Sequence, residues 1–177
     1  MEKRIHTIGH STHAVEHFVD LLKAFDIHLL VDIRRYPGSR RYPHFNSGEL
    51  SGFLEQHEIA YLHMEDLGGR RSPRRDSPNS GWRNTSFRGY ADYMETETFH
   101  HAIHKLEDLA SKKNVAIMCS EAVWWSCHRA LVADYLKWQG WEVLHILATR
   151  KEQPHPYTSP ARITKDGLTY RPENELF

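Results

Sequence analysis

The stretch that most restricts the fold runs from Val115 to Trp138. Val115-Ala116-Ile117-Met118 is a short, continuous apolar run of the kind that forms a strand covered on both faces. After a polar break, Ala130, Leu131, Ala133, Tyr135, Leu136 and Trp138 recur at helical spacing until Gly140 ends the pattern. The break is therefore a strand-to-helix turn. In an open parallel α/β sheet such turns lie at the carboxyl edge, where ligands bind. This one holds both cysteines of the chain, Cys119 and Cys127, together with Glu121, Trp124, Trp125, His128 and Arg129.

Ser126 is the expected N-cap of the helix, which places Cys127 in its first turn beside His128 and Arg129. The helix field and a neighbouring cation lower a thiol pKa from about 8.5 towards roughly 3.5–7.5. Cys119, at the end of a buried strand with Glu121 nearby, is expected to move the other way. Cys127 is thus the expected reactive thiol. Small buried packing residues are the competing description of both cysteines, and two thiols, a carboxylate, a histidine and an arginine within one turn weigh against it.

The rest of the chain repeats the alternation. Arg4–Ile8 is a strand ending at Gly9-His10-Ser11, with Ser11 or Thr12 capping a helix whose apolar face is Val15, Phe18, Val19, Leu22 and Phe25. Ile27–Ile33 is a second strand, broken by Asp32 and followed by Arg34, which form either a buried ion pair or a site in which Asp32 acts as base or orients His10 and Arg34 clamps an anion. Asn46 and Glu49 have capping-box spacing before a short helix, and Ile59–Met64 is a third strand, followed by Leu67-Gly68-Gly69. Residues 70–88 lack periodicity and suggest a loop closing over the strand ends. Two helices fall between Gly89 and Lys113, and Trp141–Leu147 is a fifth strand. Pro154, Pro156 and Pro160 suggest a linker, and Asp166-Gly167 between β-formers signals a hairpin. The expected fold is a single α/β domain over residues 1–150, a parallel five-stranded sheet with helices on both faces. Residues 151–177 form a linker and hairpin tail.

Net charge is zero, but its distribution is uneven. Ten of the fifteen arginines lie between Arg34 and Arg88, a window with no lysine and six carboxylates. The exclusive use of the forked donor points to planar anions, phosphate or carboxylate. Two cysteines make no disulfide framework, the N-terminal residues lack a signal-peptide core, and no apolar run approaches the ~20 residues of a membrane helix. A cytoplasmic protein with free thiols is the expectation, with no membrane contact.

Several short motifs carry a resemblance. Thr7-Ile8-Gly9-His10-Ser11, Val31-Asp32-Ile33-Arg34, Leu67-Gly68-Gly69, Phe87-Arg88-Gly89-Tyr90-Ala91, Met118-Cys119-Ser120-Glu121 and Cys127-His128-Arg129 occur in order. Over roughly residues 4–147 the chain resembles the domain-of-unknown-function family 488. The resemblance implies an α/β fold and marks these residues, without implying a reaction.

Strand ends bring five stretches to one edge, and the candidate site follows. Cys119, Glu121, Cys127, His128, Asp32 and His10 are the candidate catalytic residues. Ser11, Arg34, Arg40, Gly68, Gly69, Arg70, Arg88, Trp124 and Arg129 are the candidate substrate-binding residues. The expected function is an enzyme, a hydrolase or transferase, acting on a phosphate-bearing small molecule or nucleic acid. A thiol-based metal-binding or redox-sensing module and a non-catalytic nucleic-acid binder are the alternatives. The cysteine spacing is not that of a zinc site, so no metal or cofactor is expected. A phosphatase loop is excluded because its arginine position, six after Cys119, is Trp125.

Overall fold

The computed structural model describes residues 2–173. Six strands form one sheet in the order β3-β2-β4-β1-β5-β6, where β1 is Arg4–Gly9, β2 Leu29–Asp32, β3 Ala60–His63, β4 Val115–Cys119, β5 Glu142–Ala148 and β6 Lys151–Pro154. The first five are parallel, and β6 adds an antiparallel edge to β5. The central strands β2 and β4 are buried along their whole length, which is why they lack a polar alternation.

The chain makes five helices among the described residues: α1 Val15–Ala24, α2 Ser47–Glu55, α3 Thr85–Tyr93, α4 Glu97–Lys112 and α5 Arg129–Trp138. One apolar cluster joins α1 and α2 to one face of the sheet through Phe18, Leu22, Leu50, Leu54, Ile8, Leu30 and Met118. The other joins α3, α4 and α5 to the opposite face through Tyr90, Phe99, Leu106, Leu131, Val31 and Ile117. The helix after β1 therefore leaves to one face, and the helix after the adjacent β4 to the other. That divergence makes the gap between their carboxyl ends the topological switch point, where open α/β sheets bind ligands.

Period-two geometry then sorts the chemistry by face. Val115 and Ile117 pack on the α5 side, so Cys119, in step with them, points there too. Ile5 and Val143 lie on that side as well, and Thr7 and His145 follow them. Leu30 and Ile8 pack on the α1–α2 side, and Asp32 and His10 follow those.

Several local expectations need correction. The segment around Pro154 is not a linker but strand β6, with Pro154 at the outer edge of the sheet, where a missing N–H is tolerated. Lys151-Glu152-Gln153 has no apolar residue, so backbone pairing alone makes this strand. Helix α1 begins at Val15 with Ala14 in the cap position and no side-chain cap, so neither Ser11 nor Thr12 caps it. Asn46 does precede α2, yet its side chain accepts the Ser39 N–H at 2.5 Å instead of closing a capping box. Asn84 caps α3, accepting from the N–H groups of Ser86 and Phe87, so that helix starts inside the stretch expected to be a loop.

The tail forms the expected hairpin, β7 Arg162–Thr164 with β8 Gly167–Thr169, turning through Gly167 at φ 115°. The last residues assigned to that tail, 174–177, lie outside the described residues. No helix of the described residues is long and apolar enough to cross a membrane.

Candidate active site

The ends of β1 and β4 build the site together. Beyond the last ladder pair, the His10 N–H donates to the Cys119 carbonyl and the Ser11 N–H to the Ser120 carbonyl, each at 3.0 Å. These bonds lay the Cys119-Ser120-Glu121 turn across the end of β1. Gly9 lies directly beneath it, so close that a Cβ there would be 1.7 Å from the Glu121 carbonyl oxygen. Above this floor opens a cavity of about 750 Å³, bordered by both cysteines, His10, Glu121 and His128 and rimmed by arginines.

The two sulfurs lie 2.8 Å apart, both free and both almost wholly buried. The expected helix start is wrong by two residues. Trp124–Ser126 forms a turn of 3₁₀-helix, Cys127 is extended, and α5 begins only at Arg129. Cys127 is thus outside the first turn, and the expected direction of both thiols reverses. Burial pushes Cys127 well up, reinforced by the Cys119 sulfur against it. For Cys119 burial also opposes ionisation, but the Cys127 S–H donating across 2.8 Å and the Arg129 charge outweigh it, bringing the thiol down to about 7. The strand-end thiol is therefore the more readily ionised of the two.

Arg129 supplies that charge from within the core, with only 1 % of its surface exposed. Its guanidinium donates to Thr7 Oγ1 at 3.2 Å and to the Glu121 carbonyl at 3.1 Å, while its Nε has no partner. It does not border this cavity, and among the described residues it makes no ion pair with a carboxylate. Thr7 instead starts a buried chain of hydrogen bonds. Thr7 Oγ1 is 2.5 Å from His145 Nδ1, His145 Nε2 is 2.9 Å from His155 Nδ1, and His155 Nε2 is 2.7 Å from Asp134 Oδ1. One placement of protons satisfies every link: Arg129 donates to Thr7, Thr7 to His145, His145 to His155, and His155 to Asp134. Burial, with repulsion from His155 and Arg129, holds His145 far below its usual pKa, consistent with a neutral relay. Asp134 accepts from Thr158 N and Oγ1 and from Tyr170 as well, so the tail segment locks the anionic end of the chain onto α5.

On the other side of the floor, Arg34 is spent on Asp32. Its Nε and Nη2 meet the two carboxylate oxygens at 2.9 and 2.7 Å, Nη2 also reaches the Phe45 carbonyl, and Tyr61 donates to Asp32 Oδ2. Asp32 therefore has its acceptors filled and lies behind the cavity wall. It orients Arg34, whose Nη1 is 3.4 Å from His10 Nε2, while His10 Nδ1 donates to the Ser11 carbonyl. His10 stacks on Phe45 at 4.4 Å, and burial lowers its pKa to about 4. His128 donates from Nε2 to the Ile33 carbonyl, and burial likewise brings it to about 4. Its Nδ1 faces Gly69, where a Cβ would lie 2.7 Å away.

The cationic rim consists of Arg35, Arg41 and Arg70, with Arg34 paired below. Arg41, Arg35 and Tyr36 were not among the named candidates; the lysine-free arginine window is the sequence signal that covers the two arginines. Tyr36 is 58 % exposed, with the guanidinium groups of Arg35 and Arg70 5.4 and 5.7 Å from its ring centre. Ser11 and Arg70, both on the cavity wall, have left-handed backbones at φ 49° and 58°, a strain that tends to gather at functional sites.

Other expected residues lie elsewhere. Arg40 and Arg88 do not border the cavity, and Arg88 donates instead to the Trp82 carbonyl. Gly68 packs under the Arg35 backbone. Trp124 is buried, stacked on His145 at 4.8 Å, and supports the relay in place of a substrate ring. The loop of residues 70–84 is no lid. Asp92 accepts from Arg74 N, Ser77 Oγ and Asn79 Nδ2, and Gly81 N–H donates to Tyr170, which pins the loop to α3 and the hairpin.

Among the described residues no group of three or more His, Cys, Asp or Glu side chains is placed to hold a metal ion. His100, His101 and His104 share an open surface depression with Glu97.

The buried histidines give the fold a definite acid response. His10 and His128 have folded pKa values near 4, below the ordinary 6.5. Unfolded chains take up protons below pH 6.5 where the fold does not, so stability is full above that pH and is lost as pH falls toward 4. The urea midpoint is expected to drop steadily from pH 7 to pH 4.5. A flat profile over that range would mean these rings are charged in the fold.

A family model described as Domain of unknown function DUF488 matches residues 14–136. No curated protein and no solved structure matches the chain.

Proposed function

The chain belongs to the family described as Domain of unknown function DUF488, and we propose that it is a thiol-dependent enzyme whose Cys119 thiolate attacks a small phosphate-bearing substrate. The observation that carries this is Cys119 Sγ on the floor of a cavity bordered by Arg35, Arg41 and Arg70, 2.8 Å from the Cys127 sulfur, which together with the Arg129 charge favours its thiolate. An ionised sulfur is the nucleophilic form.

The rim supports an anionic substrate because three arginines border the cavity in which Arg34 is already neutralised by Asp32. A cavity of about 750 Å³ is of the size that encloses a small molecule. Tyr36 offers an exposed ring at the mouth for the flat part of a nucleotide, the role expected of Trp124. His128, with Nε2 engaged by Ile33 and Nδ1 against Gly69, contributes to the cavity wall.

Alkylation by iodoacetamide, with each cysteine assigned by peptide mass spectrometry, tests this. Cys119 should label first, with a midpoint near pH 7, and inorganic phosphate or a nucleoside phosphate should slow it. That protection should weaken as salt rises and fall about tenfold in Arg70→Ala. An uncharged nucleoside protecting as well as its phosphate, or Cys127 labelling first, would sink the proposal.

A further inference from the structure

Resting on Cys119 as the nucleophile, the geometry points to a dithiol–disulfide couple, in which Cys127 resolves a mixed disulfide formed between Cys119 and a small anionic disulfide substrate. The inference goes beyond nucleophilic attack to the electrophile itself, which is sulfur.

The carrying observation is the contact of the two sulfurs at the cavity floor. They are 2.8 Å apart, and a disulfide needs them at about 2.05 Å. Both border the cavity, so the same opening that admits the substrate exposes both thiols to it. A second thiol in contact with the first is of use when the bond to be broken is at Cys119 Sγ. Attack there releases a thiolate from an S–S bond. An acyl or phosphoryl adduct is hydrolysed by water at carbon or phosphorus and gains nothing from a sulfur touching the first.

The surroundings also fix the order of events. While Cys119 is a thiolate, Cys127 is its hydrogen-bond donor and stays protonated. Once Cys119 carries the substrate it has no charge, and that restraint disappears. The cation of Arg129 remains, and the Arg129 backbone N–H already points at Cys127 Sγ from 3.4 Å. Both then favour the Cys127 thiolate.

The chemistry balances. The Cys119 thiolate attacks one sulfur of R–S–S–R′, forming Cys119–S–S–R and releasing R′–S⁻, which takes the Cys127 proton. The Cys127 thiolate attacks Cys119 Sγ, forming the internal disulfide and releasing R–S⁻, which is protonated by water. Two electrons pass from the two thiols to the substrate, and a low-molecular-weight thiol as reductant restores the pair. Arg35, Arg41 and Arg70 select disulfides that carry negative charge.

The test uses the full chain with two probes, the phosphate-bearing disulfide of coenzyme A and the cationic disulfide cystamine. Wild type should release two equivalents of thiol and lose about 2 Da in intact mass. The anionic probe should react at least about tenfold faster than cystamine at low salt. Cys127→Ser should stop at the mixed disulfide, with one equivalent released, and Cys127→Ala should do the same if the serine variant folds poorly. Accumulation of a stable mixed disulfide in wild type overturns the inference. So does a cystamine rate equal to that of the anionic probe. Phosphate protection of Cys119 without any internal disulfide would defeat the inference alone, whereas an unreactive Cys119 would defeat the thiol-enzyme proposal as well.

Discussion

Replacing Arg129 with methionine is expected to send the Cys119 thiol from about 7 back up towards the ordinary thiol range of about 8.5, and to slow its alkylation at pH 7 by about tenfold or more, with the fold intact. Arg129 is the fixed cation closest in effect to Cys119, and nothing else buried there replaces it. Removing a buried charge commonly destabilises a protein because a partner is left unpaired, at about 3–5 kcal/mol. Here the partners are Thr7 Oγ1 and a carbonyl at the cavity floor, and the Nε of Arg129 is itself unsatisfied. Both partners are neutral, so methionine, which fills part of the vacated space, should cost less than that, about the loss of two hydrogen bonds. The variant should therefore separate reactivity from stability. The checks are a pH–rate profile for Cys119 alkylation and a urea melt at pH 7.5. A folded variant with an unchanged profile would show that the Cys127 donor alone holds the thiolate.

The same residue explains why the thiols were misjudged from the sequence. Arg129 is two positions from Cys127 and ten from Cys119, and chain proximity assigned its charge to the nearer sulfur. In the fold its backbone N–H serves Cys127, but its guanidinium runs back beneath β1 to Thr7 and Glu121. The helix start moved for a related reason. Trp124 tucks onto His145, a contact that joins the turn after β4 to β5 and requires the short 3₁₀ turn ahead of α5. Neither contact has a local signature.

What was legible followed from patterns that act over a few residues. Continuous apolar runs gave the central strands, helical spacing gave α4 and α5, and Asp166-Gly167 gave the hairpin. Strand ends brought His10, Cys119 and His128 to one place because parallel strands all present their carboxyl ends to the same edge. The relay was not legible. Thr7, His145, His155 and Asp134 are scattered through the chain, each looks like an ordinary polar residue, and only the pairing of β1 with β5 and of β6 with β5 aligns them. Strand β6 was missed because a polar edge strand with a proline looks like a linker. Of the two readings of Arg34, ion-pair partner of Asp32 or anion clamp, the structure shows the first, because Asp32 holds both arms of its fork.

Gly9→Ala is expected to be the most damaging single methyl group in the molecule. The added Cβ would lie 1.7 Å from the Glu121 carbonyl oxygen and 2.7 Å from its carbon, both backbone atoms with no side-chain freedom to retreat. Overpacking costs ~1–3 kcal/mol where neighbours can shift; against backbone at this distance the loss should reach or exceed about 3 kcal/mol. The displaced carbonyl is also an acceptor of Arg129, and the turn it belongs to is tied to β1 through His10 and Ser11. Lifting it carries Cys119 away from Arg129, so the thiol should label more slowly at pH 7 even in molecules that remain folded. Gly48→Ala and Gly52→Ala provide the contrast. Both glycines lie in α2 with open space where a Cβ would go, and alanine there should stabilise by about 0.5–1 kcal/mol through helix propensity. Urea melts of the three variants decide the matter. If Gly9→Ala melts with wild type while keeping fast Cys119 labelling, the turn is free to move, and the close seating of Cys119 over β1 is not what sets its chemistry.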